Sequence, residues 1–330
     1  MWFRNLFGFD EESPEQVREN IEVDGQLMVS KVNKARYQCG SLEICSLAEL
    51  RRALSGFGAI AADDGERRLV VEQIVGDIRD VHCDPRNDGC VIQVASQFNV
   101  LEMVSPRVTP EEGVDIYEHD RTQGPICAIA CGAGTVYRNY FVRFQDGQIG
   151  QTRDRQIDCL EDIGAVLEKE RYNLWEMRNG YVLADDKGLQ HINHMLERMS
   201  GEEIDMLRSR LKVGVQKDTE VTLGSCGNKI TQVYCSALPI AYCTAGMDEW
   251  EPFARLILEA AYEATFSVAV EKFLLKVDPS IKRETRGKLF LTLLGCGAFG
   301  NRESWAIDAI QRAAKLHQHY PMDVFIVRYS

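Results

Sequence analysis

The feature that most constrains this chain is a series of short apolar runs, rich in β-branched residues, set between longer helical patterns. Arg68–Val75, Cys90–Ala95, Ile230–Ser236, Lys288–Leu294 and Asp323–Tyr329 each predict a strand. Trp250 to Val277 and Trp305 to Gln318 carry apolar residues at helical spacing and predict helices between the later strands. Runs that are apolar throughout need both faces covered. The alternation therefore predicts an α/β protein whose largely parallel sheet lies between layers of helices. In such sheets ligands bind at the carboxyl ends of the strands.

Around this series the chain divides into a prefix, a core and an insertion. Residues 1–65 are expected to form an N-terminal extension. It contains a helical stretch, Ser46 to Leu54, and closes at a turn-like Ala61-Ala62-Asp63-Asp64-Gly65. Residues 66–330 form the core, interrupted from about Tyr140 to Thr222. That insertion opens on a hairpin signal, Gln145-Asp146-Gly147-Gln148. Charged helical patterns follow at Ile157–Glu170 and Gln190–Met199.

Charge narrows the partners. With 38 Lys and Arg against 50 Asp and Glu, the net charge is −12. Nucleic acid is not expected as a partner, because neutralising phosphates requires a basic surface. An anionic membrane would be repelled, and no run of 18 apolar residues predicts a membrane span. A small anion stays open, since backbone N–H groups bind phosphate whatever the net charge. Met1 to Phe9 is apolar but short, and the acidic Asp10-Glu11-Glu12 follows it. It is expected to dock on the protein and not to act as a signal peptide. The 11 cysteines are scattered through apolar segments with no Cys-x-x-Cys pair. Buried, reduced thiols in a cytoplasmic setting are expected, with no metal and no cofactor.

Three strand ends carry chemistry. Lys288–Leu294 runs into Gly295-Cys296-Gly297-Ala298-Phe299-Gly300-Asn301 just before a helix. Glycines there let a ligand approach the backbone, and free N–H groups can bind phosphate. A tight turn would need the same glycines. The first long strand ends in Gly76-Asp77-Ile78, where a carboxylate can accept from an exocyclic amine or simply close a turn. The second ends in Gln97-Phe98-Asn99, with Glu102 three residues on. Asn99 can bond sugar hydroxyls or cap a turn. Arg138-Asn139-Tyr140 can clamp a phosphate or form a structural ion pair.

In this order the three ends resemble the macrodomain superfamily, whose members bind ADP-ribose on a three-layer α/β/α fold with a mixed, largely parallel sheet. The resemblance implies that Asp77 and the adjoining Ile78 lie by adenine, Asn99 by the distal ribose, and the Gly295–Asn301 loop around the diphosphate. The Gly-Cys-Gly-Ala-Phe-Gly form of that loop is similar to that of poly(ADP-ribose) glycohydrolases. The triple-glycine loop of those enzymes, with its Gln-Glu-Glu, is absent. In its place stands Glu111 to Pro125, a pattern closer to the MavL-type bacterial effector macrodomains, which resemble ADP-ribosylhydrolases. The implied function is hydrolysis of ADP-ribose from a modified protein side chain. Cleavage at the anomeric carbon passes through an oxocarbenium-like state that a carboxylate can stabilise, or whose attacking water it can activate. Asp120, Asp115 and Glu102 are the candidate catalytic groups. Gln123 and Gly124 are expected at the ligand beside them. A module that reads ADP-ribose without cleaving it would share the fold, as would a degenerate interaction protein. The insertion is expected to contact the modified protein.

Overall fold

The computed structural model describes residues 1–56, 69–224, 226–275 and 286–329. The 61–65 turn, Arg68 and the end of the long helix predicted to reach Val277 lie outside the described residues.

The central sheet has seven strands: β1 (Ser41–Ser46), β2 (Val70–Val75), β3 (Val91–Ala95), β4 (Lys212–Glu220), β5 (Lys229–Cys235), β6 (Gly287–Leu291) and β7 (Met322–Arg328). Their spatial order is β1-β4-β5-β3-β6-β7-β2. From β5 to β2 every pairing is parallel, and β4 runs antiparallel to both its neighbours. The mixed, largely parallel α/β/α architecture expected from the sequence is the one observed.

Alternate side chains show how both faces are covered. On one face of β5 and β3, Cys235 and Gln93 reach Thr265 of a long helix, Met247–Val270. On the other, Gln232 Nε2 donates to the Cys127 carbonyl, and the Arg138 guanidinium lies 3.7 Å from the Tyr234 ring centre. Cys127 and Arg138 belong to two short helices, Gln123–Ala130 and Gly132–Tyr140. The small, apolar Gly124 to Gly134 segment predicts one closely packed helix, and the chain breaks it at Cys131. Tight packing explains the small residues: a Cβ on Gly132 would stand 2.5 Å from Leu6 Cδ1, and one on Gly134 would stand 2.7 Å from Thr219 Oγ1. His82 is buried beneath this face and held neutral, with burial driving its pKa down to about 4. Its ring lies between the Ile78 carbonyl (2.7 Å) and Gln232 Nε2 (3.1 Å).

Two strands come from stretches read above as additions to the core. β1 belongs to the prefix and β4 to the insertion. Both carry charged residues, Glu43 in β1 and Lys217-Asp218 in β4, which hide their periodicity. The prefix also supplies a second apolar cluster, in which Trp2, Phe3 and Phe7 pack with Leu101, Met103, Val114 and Tyr117. The eleven cysteines are free thiols. No described helix is long and apolar enough to cross a membrane.

Prefix, insertion and core are tied by an ion-pair network. Arg51 of helix Leu47–Ser55 donates to Glu263 at 2.5 and 2.9 Å and to Asp205 at 2.7 and 3.0 Å. Arg312 of helix Glu303–Leu316 donates to Glu263 at 2.6 Å. Burial raises the Glu263 pKa, but the bonds from Arg51 and Arg312 outweigh it and the net shift is downward. A lowered carboxylate pKa stabilises the fold above the unfolded value, and that contribution is lost as pH falls through the folded value. Glu263→Gln is therefore expected to cost about 1–3 kcal/mol at neutral pH, since it weakens the charge-assisted bonds of two arginines that keep Asp205 as their remaining partner. In urea denaturation the gap to wild type should close below about pH 4.

Candidate active site

The cavity arises where two central strands part. β3 pairs with β5 as far as Ala95↔Cys235, but with β6 only at Val91↔Leu289 and Ile92↔Phe290. Past the Ile92↔Phe290 bridge the groups of β3 that face β6 include the Gln93 carbonyl and the Ala95 N–H. The Gln123 side chain takes both: Nε2 donates to Gln93 O and Oε1 accepts from Ala95 N–H, each at 2.8 Å. Above this plug lies a cavity of about 360 Å³. All three predicted strand ends reach it, through Gly76, Gln97 and Gly295, and residues 120–126 form a wall.

The glycine loop is held from outside. The Tyr262 hydroxyl donates to the Thr292 carbonyl (2.7 Å) and accepts from Leu294 N–H (2.9 Å). Asn301 Nδ2 donates to the Leu238 carbonyl at 2.8 Å, and its N–H to the Gly295 carbonyl at 2.9 Å. Gly295 has φ +73°, and a Cβ there would stand 2.3 Å from Ala237 Cβ. A Cβ on Gly297 would meet nothing within 4 Å. The N–H groups of Gly297, Ala298 and Phe299, which line the cavity, have no hydrogen-bond partner among the described residues. Successive free N–H groups of this kind suit an anion.

Two acidic residues, Glu102 and Asp120, line the same cavity. Glu102 lines the cavity, yet its side chain is only 1% exposed. Oε1 has no partner among the described residues, while Oε2 lies 3.5 Å from Arg138 Nη2. Burial pushes the Glu102 pKa up to about 7, and the wholly buried Arg138 opposes this by favouring the ionised form. Arg138 is itself fixed by donation to the Val100 carbonyl (3.0 Å) and Thr135 Oγ1 (3.2 Å). It is the ion-pair alternative for Arg138 that the fold adopts. Gly124 lets the wall close on this group: a Cβ there would be 2.0 Å from the Ala95 carbonyl and 3.2 Å from Glu102 Cγ. Asp120 is half-buried in the wall and accepts from Thr122 N–H at 2.8 Å.

Of the predicted residues, Glu102, Asp120, Ile78, Gln123, Gly124, Gly295, Gly297, Ala298 and Phe299 line the cavity. Six others do not stand among its lining residues, and the local geometry says why. Asp115 accepts from Phe3 N–H at 3.1 Å and faces the N-terminal helix. Asp77 caps helix Ile78–Cys83 and is held by Arg79, whose bonds lower its pKa. Asn99 is buried where the chain reverses at Val100 (φ +59°), bonding Leu101 N–H and Gln156 Oε1. Asn301 and Gly300 close the back of the loop, and Cys296 Sγ turns to the Leu294 carbonyl. Tyr181 and Tyr242, which no sequence motif marks, also line the cavity. With Phe299 they form a three-ring cluster on the cavity, with ring centres 5.1 to 5.7 Å apart. Tyr181 comes from the insertion, directly after the Asn179-Gly180 turn, and no linear motif marks it.

The two loop glycines make a stability test. Gly295→Ala should cost about 1–3 kcal/mol, from left-handed backbone strain and overlap with Ala237. Gly297→Ala should change stability by no more than about 0.5 kcal/mol. Chemical denaturation of both variants checks this.

No protein-family model matches the chain, and no curated protein does. Among solved structures, the chain is similar to the poly(ADP-ribose) glycohydrolase of Thermomonospora curvata. The match has a TM-score of 0.46 at 12% identity and covers 94% of this chain and 89% of that one.

Proposed function

We propose that the protein is an ADP-ribosylhydrolase that removes ADP-ribose from a modified protein side chain. One observation carries the reading: Glu102, whose carboxylate is buried, lines the same cavity as Gly297, Ala298 and Phe299, whose N–H groups have no partner among the described residues. The order of the strand-end motifs supports it, since it resembles that of macrodomains. In this reading the diphosphate sits on the N–H groups of Gly297, Ala298 and Phe299. The distal ribose lies toward Glu102 and Asp120, within reach of the three-ring cluster. Charge then develops at the anomeric carbon, and an ionised carboxylate stabilises it or takes a proton from the attacking water. Arg138 keeps a share of Glu102 ionised at neutral pH against the pull of burial.

The acceptor in this reading is a protein, docked beside the mouth on the insertion that contributes Tyr181. The insertion also contributes β4, so the docking surface must lie on the residues before Lys212.

The test is release of ADP-ribose from mono-ADP-ribosylated arginine, serine and acidic side chains. Glu102→Gln should lower kcat by about 10²–10⁴-fold, the usual worth of a positioned proton-transfer group. Because the working form is ionised, kcat should rise as pH climbs through about 7 and then level off. A rate that falls over that range would assign Glu102 the acid's role instead. Tight ADP-ribose binding with no release from any linkage would make the protein a reader.

A further inference from the structure

The acidic wall of the cavity is held by a residue more than a hundred positions away. Glu11, in the acidic Asp10-Glu11-Glu12 run, places one carboxylate oxygen against two backbone donors. Val114 N–H donates to Oε2 at 2.8 Å and Asp115 N–H at 2.7 Å. The other oxygen accepts from the Tyr140 hydroxyl at 2.7 Å. Gly113 makes room for this, with φ +88° and the place of its missing Cβ 2.3 Å from Glu11 Oε2. Three residues on from Val114, the Tyr117 hydroxyl accepts the Glu102 N–H at 3.0 Å, and the Tyr117 carbonyl accepts the Asp120 N–H at 3.1 Å. A chain of hydrogen bonds thus runs from Glu11 through one short turn to both acidic residues of the cavity.

Glu11 is half-buried, and all three of its donors belong to the core that carries the cavity and none to its own prefix. We propose that Glu11 is a positioning residue of this cavity: its carboxylate fixes the 113–120 turn, which in turn sets Glu102 and Asp120. The inference rests on the reading of the cavity as a hydrolase site. Its physical part, the link from Glu11 to Glu102, stands on geometry alone.

The test uses the full chain, ¹⁵N-labelled, as wild type, Glu11→Ala and Glu11→Gln. Amide hydrogen exchange is followed at Val114, Asp115 and Glu102, beside ADP-ribose release. In Glu11→Ala the exchange at Val114 and Asp115 should quicken by about 100-fold or more, and Glu102 should quicken with them. Turnover should fall by about 10-fold, in kcat more than in KM. Glu11→Gln keeps the shape and one acceptor oxygen, so it should fall between. Fast exchange at Val114 and Asp115 with wild-type exchange at Glu102 would overturn the proposal, because Glu11 would then hold only its own turn. Wild-type turnover in Glu11→Ala would overturn it equally. If the alanine variant does not fold, Glu11→Gln decides: intermediate values uphold the proposal, and wild-type exchange at all three amides overturns it. If the wild type releases no ADP-ribose, the hydrolase reading fails, and exchange at Glu102 alone judges the link.

Discussion

Beyond Ile92 the β3 groups that face β6 have no strand to pair with, because the two strands have already separated. A buried backbone donor or acceptor left unpaired costs about 1–3 kcal/mol. The Gln123 amide answers both groups at once, as a strand neighbour would. Much of the site follows from that substitution. The helix that Gln123 opens must sit against the strand end, which requires glycine at position 124. Its N-terminal approach brings Asp120 to Thr122 to the cavity rim. On the far side, β6 is free to turn away into the glycine loop, where the Tyr262 hydroxyl takes over its last backbone groups.

The site sets opposite electrostatics on its two sides. An excess of acidic residues does not exclude an anion from such a loop, because the loop offers partial charges on N–H groups and no lysine or arginine is required. Facing it, Glu102 is buried enough to hold a proton near neutrality, and Arg138 is close enough to compete for its charge. The pair is a poor device for stability. Desolvation of two charges offsets most of their attraction, and the 3.5 Å separation is long for a strong bond. Of the pair only Glu102 lines the cavity, whereas the Arg51–Glu263–Arg312 network lies among helices.

The layers and strand ends were legible because they rest on local composition: apolar runs, then glycines where the strands end. Glu102, Asp120, Gly295 and Gly297 line the cavity. Asn99, Asp115 and Asp77 do not stand among its lining residues, for a shared reason. Each side chain is turned by a backbone feature that spacing does not reveal: the positive φ at Val100, the docked N-terminal helix, and the helix cap at Ile78. β1 and β4 were hidden by charged residues that blur a period of two. Tyr181 and Glu11 reach the site only through long-range packing, and nothing in their neighbourhoods marks them.

If one ligand spans the glycine loop and the Glu102 wall, a crystal structure with ADP-ribose bound will show it. Diphosphate oxygens are then expected on the N–H groups of Gly297, Ala298 and Phe299, with the anomeric carbon of the distal ribose beside the Glu102 carboxylate. Diphosphate bound elsewhere, or a distal ribose turned away from Glu102, would contradict it.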